Sequence, residues 1–251
     1  MTLSFSKYHG TGNDFILIDD RDKRVSLDSS MIRKLCHRQY GVGADGVVLL
    51  RSGAEGRYAM QIFNADGSEA EMCGNGLRCL VRFLKDLGEA GDEFLIETWK
   101  KSYVCTIHSQ SVSVEMGIPK ILEENDAGLL LEVGVPHFVT FTDDLSRFDL
   151  EARARFSDLG VNINYATLDP LGTLTMRTFE RGVEEETFSC GSGATAVCMA
   201  AWHRFGLSGL VKVIFGSGEQ LEFNIATENK MLVGITMSGD TYHVYNGDYR
   251  Q

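Results

Sequence analysis

Two segments of this chain repeat the same order of features, and this internal repeat limits the possible folds more than any other part of the sequence. The first segment reads FNADGSEAEMCGNG and ends at Gly76, and the second reads FERGVEEETFSCGSG and ends at Gly193. Each predicts a strand, an acidic loop, a Cys-Gly-x-Gly motif and then an apolar helix. Matched units about 117 residues apart predict two similar domains with a cleft between them.

The rest of the chain favours β-structure around these two helices. Short runs rich in β-branched and aromatic residues predict strands on both sides of each motif. The strands are expected at 15–19, 47–50, 58–63, 94–98, 103–108, 112–116, 129–133, 138–141, 165–168, 173–179, 211–214, 221–225 and 231–237. The second helix is apolar on nearly all faces, which indicates burial on most sides. A sheet curled around one central helix would bury such a helix in each half.

The predicted fold class is therefore α+β, with two domains that each curl a mixed, barrel-like sheet around a helix. The domains are placed at residues 1–117 and 118–240, with the tail at about 241–251 assigned to the first domain. A further helix is expected at 29–40, and a weakly amphipathic one at 146–156.

Composition excludes several classes of protein. Hydrophobic residues make up 43% of the chain, which is ordinary for a globular protein and argues against disorder. The net charge of −11 disfavours binding to nucleic acid, because the protein would repel the phosphate backbone. No apolar run approaches the ~20 residues needed to cross a bilayer, and the first residues lack a secretory pattern. We therefore expect a cytoplasmic protein without a membrane partner.

The six cysteines form two groups. They stand at positions 36, 73, 79, 105, 190 and 198, without a CxxC pair, so a zinc ribbon is disfavoured. Cys79, Cys105 and Cys198 lie within apolar patterns and are expected to be small buried residues. Cys73 and Cys190 differ, because each stands directly before the glycines that open a helix.

A cysteine at the start of a helix is chemically activated. The first N–H groups of a helix have no partner within it, and the helix dipole places positive charge there. A thiol at this position is expected to have its pKa lowered from ~8.5 into the range of roughly 3.5–7.5. One such motif could be a structural cap, but two matched copies favour a functional pair.

Two activated thiols that face one carbon could invert it. One would remove a proton from one side and the other would return a proton from the opposite side. The two helix ends would stabilise the charge that builds on a shared carboxylate. This scheme requires no cofactor and no metal.

Other polar positions could complete such a site, although each alone is more often structural. Asn13 follows a Gly-x-Gly turn, and further candidates lie at or near strand ends and could bind a second carboxylate and an ammonium group. These candidates are Asn64, Asn162, Glu180, Arg181 and His137.

The segment GVGADG at 41–46 matches GxGxxG, but a helix-like segment precedes it and a strand follows, so a dinucleotide site is rejected. We interpret it as a loop that lines the cleft.

Together these motifs resemble the diaminopimelate epimerase family. The matching segments are HGTGNDF, FNADGSE with MCGNG, GVNINY, ERG with SCGSG, and the tail YHVYNG. The resemblance implies a pyridoxal-independent epimerase that interconverts LL- and meso-diaminopimelate for lysine and peptidoglycan synthesis, often as a homodimer. It implies two similar α/β halves, each a curled sheet around a helix.

The resemblance also implies roles for individual residues. Cys73 and Cys190 would be the acid and base. Gly74, Asn75, Gly191 and Ser192 would hold the reacting carboxylate, and Asn13, Asn64, Asn162, Glu180 and Arg181 would bind the rest of the diamino-dicarboxylic substrate. His137 and Glu180 would tune the thiols, and Tyr245 would make a dimer contact.

The chain departs from the family pattern at two places. Val135 stands where the family usually has asparagine, and the loop at 183–187 is one residue longer and lacks a glycine. Loss of one charge-assisted hydrogen bond costs roughly 1.5–3 kcal/mol, so selection at the distal end of the substrate is predicted to be relaxed towards glutamate-like substrates. The alternatives are another pyridoxal-independent racemase of this fold, a thiol–disulfide redox protein and a non-catalytic dicarboxylate-binding module.

Overall fold

The computed structural model describes residues 2–146, 160–180, 186 and 189–250. Its helices are α1 (Ser29–Cys36), α2 (Gly74–Asp86) and α3 (Gly191–Phe205). The strands of the first part of the chain are β1 (Thr2–Gly10), β2 (Asn13–Asp19), β3 (Gly46–Ser52), β4 (Tyr58–Asn64), β5 (Glu69–Ala70), β6 (Glu93–Glu97), β7 (Ser102–Ile107) and β8 (Ser111–Gly117). Those that follow are β9 (Lys120–Asn125), β10 (Gly128–Val133), β11 (Val135–Phe141), β12 (Asn162–Leu168), β13 (Leu174–Phe179), β14 (Gly209–Phe215), β15 (Gln220–Glu228), β16 (Met231–Asp240) and β17 (Tyr242–Arg250).

The chain divides into two compact units. The first contains the residues up to Val114 together with those from Gly239 onward, and the second spans Glu115–Ser238. The C-terminal strand β17 therefore returns to the first unit, where it pairs antiparallel with β1. The N-terminal strand of the first unit is thus flanked on both sides, by β17 and by β2.

The two units have the same strand order and the same strand directions. In the first unit the order is β17-β1-β2-β3-β4-β6-β7-β8, and in the second it is β9-β10-β11-β12-β13-β14-β15-β16. The pairs β2–β3 and β4–β6 of the first unit are parallel, as are the pairs β11–β12 and β13–β14 of the second. The other neighbours in these two orders are antiparallel. A parallel pair needs a long crossover, and α2 and α3 supply the second crossover of their units. This correspondence confirms the prediction of two similar domains built on mixed sheets.

Each sheet curls around its central helix. Helix α2 contacts strands from across its sheet, namely β1, β2, β3, β4, β7 and β17, and α3 contacts β10, β11, β12 and β15. The side chains of Leu77, Leu80 and Leu84 on α2 are fully buried, and each contributes about 1.5–3 kcal/mol through burial. In α3 the segment from Ala194 to Ala201 is buried throughout, as its apolar sequence predicts. The central position of both helices is thus confirmed.

The boundaries show where the sequence was less informative. The two central helices begin at Gly74 and Gly191, two residues earlier than predicted, because the first turns contain no apolar residues that mark a helical face. The helix predicted at 29–40 ends at Cys36, since His37 is extended with ψ of 119°. The helix predicted at 146–156 lies almost entirely outside the described residues.

Several strands were not predicted. The strands β9 and β17 are largely exposed, so they lack the alternation of buried and exposed residues that identifies a strand. In β1 the alternation of Leu3 and Phe5 with polar residues was present and would have identified it. None of the described helices has the length and apolar character needed to cross a membrane.

Candidate active site

Cys73 and Cys190 occupy equivalent positions in the two units. Each is the N-cap residue of its central helix, with extended backbone at φ of −137° for Cys73 and −129° for Cys190. The next residues, Gly74 and Gly191, begin the helices, so the first-turn N–H groups have no acceptor four residues earlier. Both cysteines thus lie at the positive end of a helix dipole. Cys73 is partly exposed and Cys190 is 6% exposed.

The three cysteines expected in the core are buried there. Cys79, Cys105 and Cys198 are 0% exposed, which confirms that prediction. Burial raises the pKa of the Cys79 thiol to about 12 and also raises the pKa of Cys198. These thiols therefore stay protonated at neutral pH, and all six cysteines are free of disulfides.

Cys73 belongs to a hydrogen-bonded group of polar side chains. Its Sγ donates to Oδ1 of Asn13 at 3.7 Å, and Nδ2 of Asn75 donates to the same oxygen at 3.3 Å. The hydroxyl of Thr11 donates to Oδ1 of Asn75 at 3.2 Å. The tight turn between β1 and β2, with Thr11 at φ of 52° and Gly12 at 75°, brings Thr11 and Asn13 to the start of α2. The structure thus joins three of the predicted site residues of the first unit.

The group also includes Arg78, which sequence reasoning missed. This side chain is 0% exposed, and its Nη2 donates to the Thr11 hydroxyl at 3.0 Å. Burial lowers the pKa of the Arg78 guanidinium, and the neighbouring Cys79 and Cys73 oppose that shift. Gly10 leaves room for the guanidinium, since a Cβ there would lie 3.2 Å from Nη2. The available signal was an arginine between two apolar residues, on a helix predicted to be central.

The loop at 41–46 reaches the same group through Asp45. Nδ2 of Asn13 donates to Oδ2 of Asp45 at 2.7 Å, and Arg38 pairs with Oδ1 of Asp45 at 2.6 Å. Arg38 also pairs with Asp14 at 2.8 Å, and Asp14 pairs with the buried Lys7 at 2.6 Å. The segment GVGADG therefore supplies an acceptor for a candidate site residue, which its glycine pattern did not indicate.

Asp14 makes the folded protein sensitive to acid. Burial alone would raise the pKa of Asp14, but its bonds to Arg38 and Lys7 outweigh burial and lower the pKa to about 2, from 3.8 for an unperturbed aspartate. Because this pKa is depressed on folding, the associated stability is present above about pH 4 and is lost as the pH falls towards 2.

We expect Asp14→Asn to lower the free energy of unfolding by about 1–2 kcal/mol at neutral pH, since it removes the negative charge that pairs with the buried Lys7. The variant should also lose less stability than the wild type between about pH 5 and pH 3. Urea unfolding at neutral pH measures the first effect, and urea unfolding at about pH 5 and pH 3 measures the second. An equal loss in the two proteins would show that Asp14 does not carry this acid dependence.

Cys190 belongs to a second group, assembled by the parallel pair β11–β12. The register places His137 opposite Asn162, and both are buried. Nε2 of His137 lies 3.0 Å from Oγ of Ser192, which lies 3.5 Å from Sγ of Cys190. The N–H of Gly193 donates to the same sulfur at 3.3 Å. Four predicted site residues of the second unit are therefore neighbours.

Asn164 fixes the proton position on His137 and was not predicted. Its Nδ2 donates to the carbonyl of Phe138 at 3.1 Å and lies 3.2 Å from Nδ1 of His137, while Thr178 donates to its Oδ1 at 3.1 Å. Nδ2 of Asn162 also lies 3.4 Å from Nε2 of His137, so an amide donor faces each ring nitrogen. The shorter contact comes from Asn164, whose amide orientation is fixed by Phe138 and Thr178, so Nδ1 is the acceptor and the ring proton is on Nε2. The signal was the Asn-x-Asn spacing, which places Asn162 and Asn164 on one face of β12.

Four further predicted site residues are Asn64, Glu180, Arg181 and Tyr245. Asn64 is exposed at the end of β4, and its Nδ2 donates to Ser68 within the following turn at 3.0 Å, apart from the Cys73 group. Glu180 follows β13 directly and is half-buried. Arg181, like residues 182–185, lies outside the described residues. Tyr245 on β17 is 41% exposed, and its ring centroid lies 5.9 Å from that of Phe5 in an edge-to-face arrangement.

Within the described ranges, no cluster of three or more His, Cys, Asp or Glu side chains could hold a metal ion. The polar groups around both cysteines instead consist of amides, hydroxyls, one imidazole, one guanidinium and one carboxylate. These groups are suited to hydrogen bonding with an organic ligand.

Comparisons with known proteins place the chain in a family. The family model described as diaminopimelate epimerase matches residues 5–122. The chain is 37% identical to a diaminopimelate epimerase of Flavobacterium psychrophilum over 97% of this chain and 98% of that protein. It is 36% identical to a diaminopimelate epimerase of Archaeoglobus fulgidus over 93% of both proteins.

A solved structure supports the fold. A protein from Pseudomonas aeruginosa, described as a predicted epimerase, superposes with a TM-score of 0.75 over 99% of both chains, although the sequences are only 16% identical. This likeness concerns the architecture, whereas the relatives above share more than a third of their residues over nearly the whole length. This chain is a member of the diaminopimelate epimerase family of isomerases.

Proposed function

We propose that this protein interconverts LL- and meso-diaminopimelate by a cofactor-independent mechanism in which Cys73 and Cys190 are the two acid/base residues. The observation that carries the proposal is the placement of both cysteines as N-cap residues of the central helices of two matching units. The relatives named diaminopimelate epimerase support the substrate. An epimerase needs two proton-transfer groups of similar strength, because each serves as the base in one direction and the acid in the other.

The helix ends supply the electrostatic part of the mechanism. Removal of the α-proton delocalises negative charge onto the adjoining carboxylate, which backbone N–H groups of Gly74, Asn75, Gly191 and Ser192 would stabilise. The proton would pass to one sulfur as the other thiol gives its own proton to the opposite face of the carbon. Both sulfurs would exchange protonation states in each turnover, so no external acid is consumed.

The other site residues receive supporting roles in the proposal. Asn13, Asn64, Asn162, Glu180 and Arg181 would bind the amino groups and the distal carboxylate, while His137 and Glu180 would tune the thiols. The contacts of Asn13 with Cys73, and of His137 with Ser192, support two of these assignments. The physiological role would be in cytoplasmic lysine and peptidoglycan synthesis, in a homodimer that uses Tyr245.

The activity can be tested directly with the purified protein in deuterium oxide. Incubation with LL-diaminopimelate should produce the meso isomer and incorporate deuterium at the inverted α-carbon, as measured by proton NMR and chiral chromatography. Proline and hydroxyproline, offered in parallel, should stay unchanged. Turnover of those cyclic amino acids without turnover of diaminopimelate would identify another racemase of this fold.

We also propose relaxed selection at the distal end of the substrate. Val135 begins β11 two residues before His137, at the position where the family usually has asparagine. A valine cannot donate a hydrogen bond to a distal carboxylate or accept one from an amino group. Glu186 from the altered loop is engaged by Arg177 at 2.6 Å, whereas residues 183–185 and 187 lie outside the description.

We expect slow deuterium uptake at the α-carbon of glutamate, because the lost contact no longer favours the longer substrate. The variant Val135→Asn should restore one hydrogen bond and raise the preference for diaminopimelate by roughly 10- to 100-fold in kcat/KM. Competition between the two substrates, followed by NMR, measures this ratio. Relaxed selection at this position would be refuted if the wild type exchanged no α-proton of glutamate. It would also be refuted if Val135→Asn left the ratio of the two kcat/KM values unchanged.

A further inference from the structure

The two cysteines occupy equivalent helix positions but make opposite hydrogen bonds. Sγ of Cys190 accepts the N–H of Gly193 at 3.3 Å, as an N-cap side chain does. Within the described chain, the side chain of Cys73 makes no such bond to its helix and instead donates to Oδ1 of Asn13 at 3.7 Å. A bond that the sulfur accepts favours the thiolate, whereas a bond that it donates favours the thiol.

The direction of the bond at Cys73 is fixed from Asp45. A carboxylate only accepts hydrogen bonds, and Oδ2 of Asp45 accepts both Nδ2 of Asn13 at 2.7 Å and the backbone N–H of Asp14 at 3.1 Å. The Asn13 amide must therefore point its nitrogen at Asp45 and its oxygen at Cys73. If the amide rotated, its oxygen would face the carboxylate at close range, which is repulsive.

The opposite end of the same group enforces the same direction. A guanidinium only donates hydrogen bonds, so the Thr11 hydroxyl oxygen is the acceptor in its contact with Arg78. The hydroxyl proton of Thr11 is then donated to Oδ1 of Asn75. Nδ2 of Asn75 then faces Oδ1 of Asn13. Both ends of the group thus keep an amide oxygen of Asn13 against the sulfur of Cys73.

The direction at Cys190 is reversed. The 3.2 Å contact from Asn164 makes Nδ1 of His137 an acceptor, so the neutral ring carries its proton on Nε2. Oγ of Ser192, at 3.0 Å, is closer to Nε2 than Nδ2 of Asn162, at 3.4 Å, and accepts that proton. The hydroxyl proton of Ser192 is then available to the sulfur at 3.5 Å. Cys190 therefore receives hydrogen bonds from a backbone N–H and from a hydroxyl.

We infer that in the ligand-free protein Cys190 is the thiolate and Cys73 the thiol, and that Asp45 is a positioning residue that keeps Cys73 protonated through the Asn13 amide. This inference rests on the proposed function, since it gives Cys190 the role of base and Cys73 that of acid for the first substrate bound. Asp45 acts through Asn13 and is not itself a catalytic residue.

Other charges near Cys73 must be considered in any test. Arg78 and Cys79 lie on the same helix as Cys73, and the cation favours the thiolate. On the other side of Asn13, the carboxylates of Asp45 and Asp14 are paired with Arg38 and with Lys7. At Cys190, the described titratable neighbour is His137, through Ser192. Removal of Asp45 therefore changes both an orientation and a charge, and the two effects need separate variants.

The test is the pH dependence of alkylation of each cysteine by iodoacetamide in the ligand-free, full-length protein. Mass spectrometry of the two peptides gives a rate for each thiol between about pH 5 and pH 10. The midpoint pH, and not the absolute rate, is compared, because the two sulfurs differ in exposure. We expect the midpoint of Cys190 to lie at least about one pH unit below that of Cys73. Equal midpoints, or a lower one for Cys73, would overturn the assignment.

Two substitutions at position 45 separate orientation from charge. Asp45→Ala removes the charge and the acceptor, so Asn13 can turn its nitrogen to the sulfur and the midpoint of Cys73 should fall by about one unit. Asp45→Asn removes the same charge but keeps an oxygen for Asn13, so its shift should be less than half as large. Equal shifts in both variants, or none in Asp45→Ala, would overturn the role of Asp45.

The same preparations also test the proposed function separately. Thiol midpoints are measured without substrate, whereas NMR with diaminopimelate measures inversion. If the midpoints are as expected but diaminopimelate is not inverted, the epimerase proposal is wrong and the assignment of the two thiols is still supported. If diaminopimelate is inverted but the midpoint of Cys73 is the lower one, the assignment of the two thiols is wrong and the epimerase proposal is still supported.

Discussion

The variants Cys73→Ala and Cys190→Ala should each lower the rate of diaminopimelate inversion by about 10²- to 10⁴-fold, because inversion needs one proton-transfer group on either side of the α-carbon. The loss should be similar for the two variants, as the thiols exchange roles with the direction of reaction. The measurement is the initial rate of isomer conversion by NMR in deuterium oxide, starting in turn from the LL and the meso isomer.

A matched control is available on the same helix as Cys190. Cys198→Ala replaces a thiol that is 0% exposed and that burial keeps protonated, so it should leave inversion nearly unchanged. Either active-site variant retaining more than about a tenth of the wild-type rate would contradict the two-thiol mechanism. A protein that only binds a dicarboxylate would keep its affinity in both variants, and a redox protein would form and reduce a disulfide during its cycle.

Gly193→Ala should be the most damaging single-methyl change near the site. A Cβ at this position would lie 2.4 Å from Oδ1 of Asn164 and 3.2 Å from Sγ of Cys190. Asn164 is held by Phe138 and Thr178 and cannot yield without releasing His137. We expect a loss of about 1–3 kcal/mol in the free energy of unfolding and about a 100-fold loss of activity.

The equivalent glycine of the first unit provides the control. At Gly76 a Cβ would meet Cδ1 of Ile62 at 3.0 Å, the far end of a flexible side chain. Alanine is also preferred over glycine inside a helix by about 1 kcal/mol, so Gly76→Ala should change stability by less than about 1 kcal/mol. Thermal unfolding and NMR rates on both variants make the comparison. Equal damage from the two substitutions would show that the packing of Asn164 is not the cause.

The repeat made much of the architecture predictable. The matched Cys-Gly-x-Gly motifs and the helices that follow them predicted two similar units. The second helix is apolar on nearly all faces, so it had to be buried on most sides. Most strands with alternating or continuous apolar residues were also predicted. The exposed strands β9 and β17 were not, since a strand that buries neither face leaves no pattern in the sequence.

The site was predictable where a motif fixes a backbone position. Cys73 and Cys190 follow from the helix starts, and Asn13 from the Gly-x-Gly turn that precedes it. Asp45 and Arg78 were not predicted, because their roles arise from contacts between segments far apart in the chain. Asn64 carried the same kind of signal as Asn13, yet it bonds within its own turn.

The amino-acid sequence alone determined which residue types stand at the start of each central helix and hence that two thiols lie at positive helix ends. Only the tertiary structure decided how those thiols differ. Strand pairing and loop packing bring an acceptor-only carboxylate to Asn13 at one thiol and a donor amide to His137 at the other. The direction of a hydrogen bond depends on which donors and acceptors meet in space, and two matching Cys-Gly-x-Gly motifs therefore acquire opposite preferences for a proton.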